Sequence, residues 1–177
     1  MTQKNVLIVG FSESSHIDVV EKIAEEHQVI TWLHPFNPKS QNLTSKHNIR
    51  SINSSQLSRI KSTPTSSLNL DLEVIETFAA TETTFLSISD RLAFFPVSVR
   101  KRRLVYYHWL SHWLAFFTSQ KVDLVLHSEA PHGGWDNVLF DVAKNKQVPQ
   151  RILDRTSIAE LLIYLSLIHI SEPTRPY

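Results

Sequence analysis

The apolar run Asn5-Val-Leu-Ile-Val-Gly10, followed at once by a helical pattern and a second apolar run, constrains the fold more than any other feature of this chain. Consecutive aliphatic residues without polar alternation suit a strand buried on both faces, as in a parallel sheet. Ser14 or Ser15 can cap the helix that follows. Ile17, Val20, Ile23 and Ala24 recur at helical spacing, Asp18 and Glu21 favour its N-terminal turns, and it ends near His27. Gln28-Val-Ile-Thr-Trp-Leu33 reads as a second strand, stopped by His34-Pro-Phe-Asn-Pro38 because proline removes backbone donors and fixes φ. Parallel strands joined by a helix imply a right-handed crossover.

From Lys39 to Ser67 the chain is rich in Ser, Asn, Thr and Gln, and reads as a long connection with one short strand around Asn48–Ile52. Leu68 to Ile88 regains helical spacing with a break near Thr81–Thr84, and Phe94-Phe-Pro96 ends that section. Val99 to Thr118 is the longest helical candidate. Its apolar residues surround much of the circumference, as in a helix buried between layers. A strand at Asp123–His127, a helix at Asp136–Lys146 and a strand at Gln150–Asp154 follow. This alternation predicts an α/β doubly wound, mainly parallel Rossmann-like sheet formed by residues 1–164.

Composition removes several classes. Hydrophobic residues at 42% and charged residues at 20% are ordinary for a globular chain and exclude global disorder. Lys and Arg number 18 against 17 Asp and Glu, too balanced a field to favour nucleic acid as the main partner. Only Gly10, Gly133 and Gly134 are glycines, so neither G-x-G-x-x-G nor a Walker A loop can be written. The absence of cysteine excludes a disulfide frame, a thiol nucleophile and a cysteine zinc site. The front of the chain forms no signal-peptide core, which makes the cytoplasm the expected location. Glu160–Ile170 is too short an apolar run for the ~20 residues of a membrane-spanning helix.

In open α/β sheets ligands bind beyond the carboxyl ends of the strands, so three corners carry the candidate residues. At Gly10-Phe-Ser-Glu-Ser-Ser15, the hydroxyls of Ser12, Ser14 and Ser15 and the free N–H groups of a helix start can hold a phosphate or sugar hydroxyl, or simply cap. The second corner is Ser128-Glu-Ala-Pro-His-Gly-Gly-Trp-Asp136. There Gly133 and Gly134 allow close approach to a ligand, Asp136 can cap, and Glu129 and His132 offer titratable groups, with His132 as a base for a hydroxyl. The alternative is a tight turn with a packed histidine. At Asp154-Arg-Thr-Ser157, Arg155 with Thr156 can clamp an anion or form an internal ion pair. His108 and His112 lack an evident third ligand, so no metal site is expected. The cluster Arg100-Lys-Arg-Arg103 is either a solvated helix start or a contact for an anionic partner.

The order Tyr106–Leu114, Val122–His132, Asp136–Lys144 and Arg151–Ser157, with Pro131-His132 and Asp154-Arg155-Thr156 as its sharpest points, resembles bacterial surface or capsular polysaccharide biosynthesis proteins of glycosyltransferase-like, GT-B-type architecture. The resemblance covers about residues 85–157. It implies an N-terminal domain that faces a glycan or lipid-linked acceptor. A second, C-terminal Rossmann-like domain would bind the nucleotide-sugar donor, leaving no cofactor in this part. It also implies a cytoplasmic protein at the inner face of the membrane, in peripheral contact with it. A non-catalytic doubly wound module that binds a phosphorylated or anionic ligand is the other reading of the same residues. Leu165-Ser-Leu-Ile-His-Ile-Ser-Glu-Pro-Thr-Arg175 resembles the in-frame translation of a transposase sequencing adapter. Residues 165–177 are therefore expected to be non-native, with a truncated natural sequence that continues beyond Tyr164.

Overall fold

The computed structural model describes residues 2–54, 70–92, 97–155 and 162–165, which fall into two compact units. Unit 1 takes residues 1–53, 122–130 and 148–177; unit 2 takes 54–121 and 131–147.

Unit 1 is built on strands β1 (Asn5–Val9), β2 (Gln28–His34), β3 (Arg50–Asn53), β4 (Leu124–His127), β5 (Gln150–Arg155) and β6 (Leu162–Leu165). Their order is β3-β2-β1-β4-β5-β6; the first five are parallel and β6 is antiparallel to β5. The order turns back between β1 and β4, as in a Rossmann-like doubly wound α/β fold. Helices α1 (Ser14–Glu26) and α2 (Pro38–Lys46) make the crossovers from β1 to β2 and from β2 to β3. Val6, Leu7 and Ile8 are completely buried, which explains the unbroken apolar run of β1. Val6 and Ile8 join Val20, Val29, Trp32, Leu43 and Leu126 in the core, where α1 contributes Ile17 and Val20.

Helix α2 replaces the front of the expected long connection. Its start is a capping box: Asn37 Oδ1 accepts from the Ser40 N–H at 2.9 Å, and the Ser40 hydroxyl lies 3.1 Å from the Asn37 N–H, with Pro38 at the first helical turn. Only Ser40 and Leu43 of this helix are buried, so its sequence shows almost no apolar stripe. The strand expected at Asn48–Ile52 is β3, shifted by one or two residues.

Unit 2 contains α3 (Leu72–Thr77), α4 (Ala79–Leu92), α5 (Val99–Ser119) and α6 (Trp135–Asn145). The helix break falls at Phe78, not at Thr81–Thr84. Thr81 is instead buried and donates to Asp141 Oδ2 at 2.8 Å, while Thr83 and Thr84 return their hydroxyls to the carbonyls of Ala79 and Ala80. Helix α5 buries Tyr106, Trp109, Leu110 and Trp113, and the Tyr106 hydroxyl donates to the Phe78 carbonyl at 2.9 Å. The basic cluster at the start of α5 is partly neutralised within the unit: Arg102 pairs with Asp90 at 2.8 Å and Arg103 with Glu82 at 2.5 Å. No helix among the described residues is long and apolar enough to cross a membrane. Phe94–Pro96, Thr156 and residues 166–177 of the expected tail lie outside the described residues.

Candidate functional site

Five parallel strands present their carboxyl ends along one edge of unit 1, and β1 and β4 meet at the point where the order reverses. Gly10 follows β1 with φ +85°, and Phe11 continues in the left-handed region at +56°. The position admits only glycine. An added Cβ would stand 1.9 Å from Ser128 Oγ and 2.9 Å from Ser128 Cβ, while the Ser128 N–H donates to the Val9 carbonyl at 2.9 Å. The Gly10 N–H donates to the Leu33 carbonyl at 2.7 Å, and its own carbonyl accepts from the Trp32 indole at 2.7 Å. The β1–α1 loop is therefore held from both neighbouring strands. Phe11 is buried, which anchors the second left-handed residue in the core.

The serines of this corner are placed differently from the capping expected of them. Helix α1 begins at Ser14, so Ser14 and Ser15 are its first two residues, and the cap position is Glu13, whose side chain makes no capping hydrogen bond. Ser12 lies just before, half-buried, and its carbonyl accepts from Asn37 Nδ2 at 3.1 Å.

Beneath the same edge sit two imidazoles that sequence reasoning passed over. His127, the last residue of β4, is fully buried and its Nε2–H donates to Gln150 Oε1 of β5 at 3.0 Å. Burial lowers its pKa to about 4, against the smaller opposing effect of the glutamine hydrogen bond. His34 closes β2, also fully buried. Its Nδ1–H donates to the Pro35 carbonyl at 2.8 Å, and its Nε2 accepts from the Ser51 hydroxyl at 3.0 Å. Burial lowers its pKa as well, opposed by the Pro35 carbonyl. Both are neutral structural groups near pH 7. Their signal in the sequence is a histidine ending an apolar strand, which alone does not separate a buried pair from an exposed ligand-binding group.

Glu129, two residues past β4, is exposed and belongs to unit 1. Asp154 and Arg155 end β5, where Arg155 pairs in register with Leu162 of β6.

In unit 2, the other part of the second corner is organised by Asp136. This residue is the second of α6, not its cap; the cap position is Gly134, with φ +86°. The buried Asp136 carboxylate turns back over the loop and accepts from the N–H groups of His132 at 3.0 Å, Gly133 at 2.8 Å and Asn137 at 2.8 Å. Burial raises its pKa above the ordinary carboxylate value, although the His132 N–H and ring, and the Gly133 and Asn137 N–H groups, pull the other way. Of the two adjacent glycines, Gly134 is the one with positive φ, and its added Cβ would meet Phe85 Cε2 at 3.3 Å. At Gly133 the closest atoms would be 3.4 Å away, an ordinary contact. The His132 side chain is exposed. His112 lies edge-on to Trp109 and Trp113, with ring centroids 5.7 and 4.8 Å apart. No group of three His, Asp or Glu among the described residues could hold a metal ion.

Comparison with protein-family models, curated proteins and solved structures finds no match. The chemistry of the corners is therefore the basis for a functional reading.

Proposed function

We propose that this chain is the N-terminal, acceptor-side domain of a glycosyltransferase-like enzyme of surface polysaccharide biosynthesis. The observation that carries the reading is the carboxyl edge of unit 1, where the β3-β2-β1-β4-β5 order reverses beside Gly10 and Glu129 follows exposed. In the proposed reaction an acceptor hydroxyl attacks the anomeric carbon of a nucleotide-sugar. The new C–O bond forms as the bond to the donor phosphate breaks, the nucleotide departs with that electron pair, and His132 or Glu129 receives the hydroxyl proton. Arg155 and Thr156, or Ser12, Ser14 and Ser15, hold polar or anionic parts of the substrates. A second α/β domain supplies the nucleotide-sugar site, and the acceptor is a glycan or lipid-linked sugar at the inner face of the membrane.

One observation favours the second reading, a module that binds a phosphorylated or anionic ligand without catalysis: the cap residue of α1, Glu13, makes no side-chain capping hydrogen bond. Assays with UDP-, GDP- and ADP-sugars separate the two. The enzyme carrying its donor domain is expected to transfer sugar, and the 177-residue chain alone neither to hydrolyse nor to transfer. Tight binding of inorganic phosphate by the chain, with no transfer by the longer protein, would replace the enzyme by the module.

A further inference from the structure

The first two turns of α5 carry a surface that the reaction above does not use. Among the described residues the large hydrophobic side chains left exposed are Phe36, Leu72, Val99 and Leu104, and the last two stand on this one stretch of helix, 50% and 57% exposed. A single exposed leucine is ordinary, but Leu104 is set among cations. Arg100 and Lys101, four and three residues before it, share its face at helical spacing, and both are exposed. Two turns further along the same face Ser111 is buried, so the exposed patch is confined to the start of the helix.

The cations of this start are of two kinds. Arg102 pairs with Asp90 and Arg103 with Glu82, and Glu82 also accepts from the Tyr107 hydroxyl at 2.9 Å, so both carboxylates of α4 are engaged. Arg100 and Lys101 have no ion-pair partner among the described residues. The first turn of α5 holds no acidic residue, although the helix dipole favours an anion there and opposes cations. Positive charge is thus left unbalanced at the end of the helix that tolerates it least, and an anionic partner would relieve it.

The apolar side chains choose among anionic partners. A nucleic acid or an acidic peptide would engage Arg100 and Lys101 while leaving Val99 and Leu104 in water. The headgroup region of a bilayer takes long cationic side chains at the level of the phosphates and apolar ones just beneath them. No helix among the described residues can cross a membrane, so such a contact is peripheral.

We propose that the exposed face of the first two turns of α5 docks on an anionic lipid bilayer, with Arg100 and Lys101 at the headgroup phosphates and Val99 and Leu104 inserted between the lipids. The docking face belongs to unit 2 and does not depend on the acceptor-side reading.

Co-sedimentation of the whole chain with vesicles tests this, comparing phosphatidylglycerol mixed into phosphatidylcholine with phosphatidylcholine alone. Binding is expected only with the anionic lipid, and it should weaken as salt is raised. Arg100→Ala with Lys101→Ala should lower partition by about 10- to 30-fold, and Leu104→Ser by about 3- to 10-fold. Lys4→Ala with Lys22→Ala removes the same charge from exposed positions of unit 1 and should leave partition within about 2-fold. Thermal midpoints accompany each variant, and loss of cations that the helix dipole opposes should not lower the first. Equal binding to both vesicles, undiminished binding by the folded Arg100/Lys101 or Leu104 variants, an equal loss in the Lys4/Lys22 variant, or capture of polyuridylate or polyglutamate in place of the vesicles would each overturn the docking face. The assay contains no sugar and transfer is measured separately, so failure of the docking face and failure of the acceptor-side reading are distinguishable.

Discussion

Two strand-to-helix corners of this protein each turn on a glycine with positive φ, yet they are stabilised by opposite means. At Gly10 the constraint is steric: Ser128 fills the space where a side chain would go, and the main chain is bonded to Leu33 and Trp32. At Gly134 the space is tight but not closed, and the loop is held electrostatically by the buried Asp136 carboxylate and its three N–H donors. The carboxylate already answers the N–H groups that an anion would seek there. The comparison teaches that a glycine and a helix start are not enough to mark an anion site: at the β1–α1 corner the cap residue Glu13 makes no side-chain capping hydrogen bond, whereas the corner before α6 carries its own anion.

The largest effect that breaks this contrast is Gly10→Ala. A Cβ 1.9 Å from Ser128 Oγ, added to an unfavourable φ, should cost about 3–5 kcal/mol in urea unfolding. Adding Ser128→Gly should return most of the loss. Failure of the second change to rescue would mean that backbone conformation, not crowding, sets the position.

Next comes pH. His127 has an ordinary value of 6.5 when unfolded and about 4 when folded, so between these the unfolded chain binds the extra proton. Its contribution to stability is full above about pH 6.5, falls as pH drops, and is lost by about pH 4, a change of about 3 kcal/mol. His34, also lowered, acts with the same sign. Asp136 acts oppositely: its folded pKa is raised, so the folded chain takes up its proton first and acidification through that window stabilises. His127→Gln should flatten the acid decline in stability without abolishing it, and Asp136→Asn should steepen it. Parallel curves for wild type and His127→Gln would remove the imidazole from the explanation.

Smaller still, Asp136→Ala at pH 7 strands the N–H groups of His132, Gly133 and Asn137, and should cost about 2–3 kcal/mol with amide exchange quickened at those three positions. Unchanged exchange there would show that the carboxylate does not hold the loop.

Much of the frame was legible because burial dictates pattern. The uninterrupted run of β1 belongs to residues that are completely buried, and the spacing of Ile17 and Val20 reports the face of α1 that enters the core. Helix α2 was not legible as a hydrophobic period, since it buries only Ser40 and Leu43; its signal was Asn37, Pro38 and Ser40, a capping arrangement hidden in a polar stretch. The break at Phe78 was also hidden, because threonines that look like breakers satisfy their hydroxyls on the preceding turn. At the candidate corners the sequence marked the glycines and Asp136 but not the atoms they engage. Which of two adjacent glycines takes positive φ, and whether Asp136 caps or folds back, depends on contacts with Phe85 and with the loop itself.

The most direct test of the central claim is the transfer rate of His132→Ala in the two-domain protein that the proposed function calls for, measured beside its thermal midpoint. The imidazole is exposed and the hydrogen bond to Asp136 comes from the main-chain N–H, with the ring adding an electrostatic attraction to that carboxylate, so stability should stay within about 1 kcal/mol of wild type. If His132 receives the acceptor proton, kcat should fall by about 10²–10⁴-fold. Unchanged transfer by a folded His132→Ala together with unchanged transfer by Glu129→Ala would contradict a proton-accepting role for this corner.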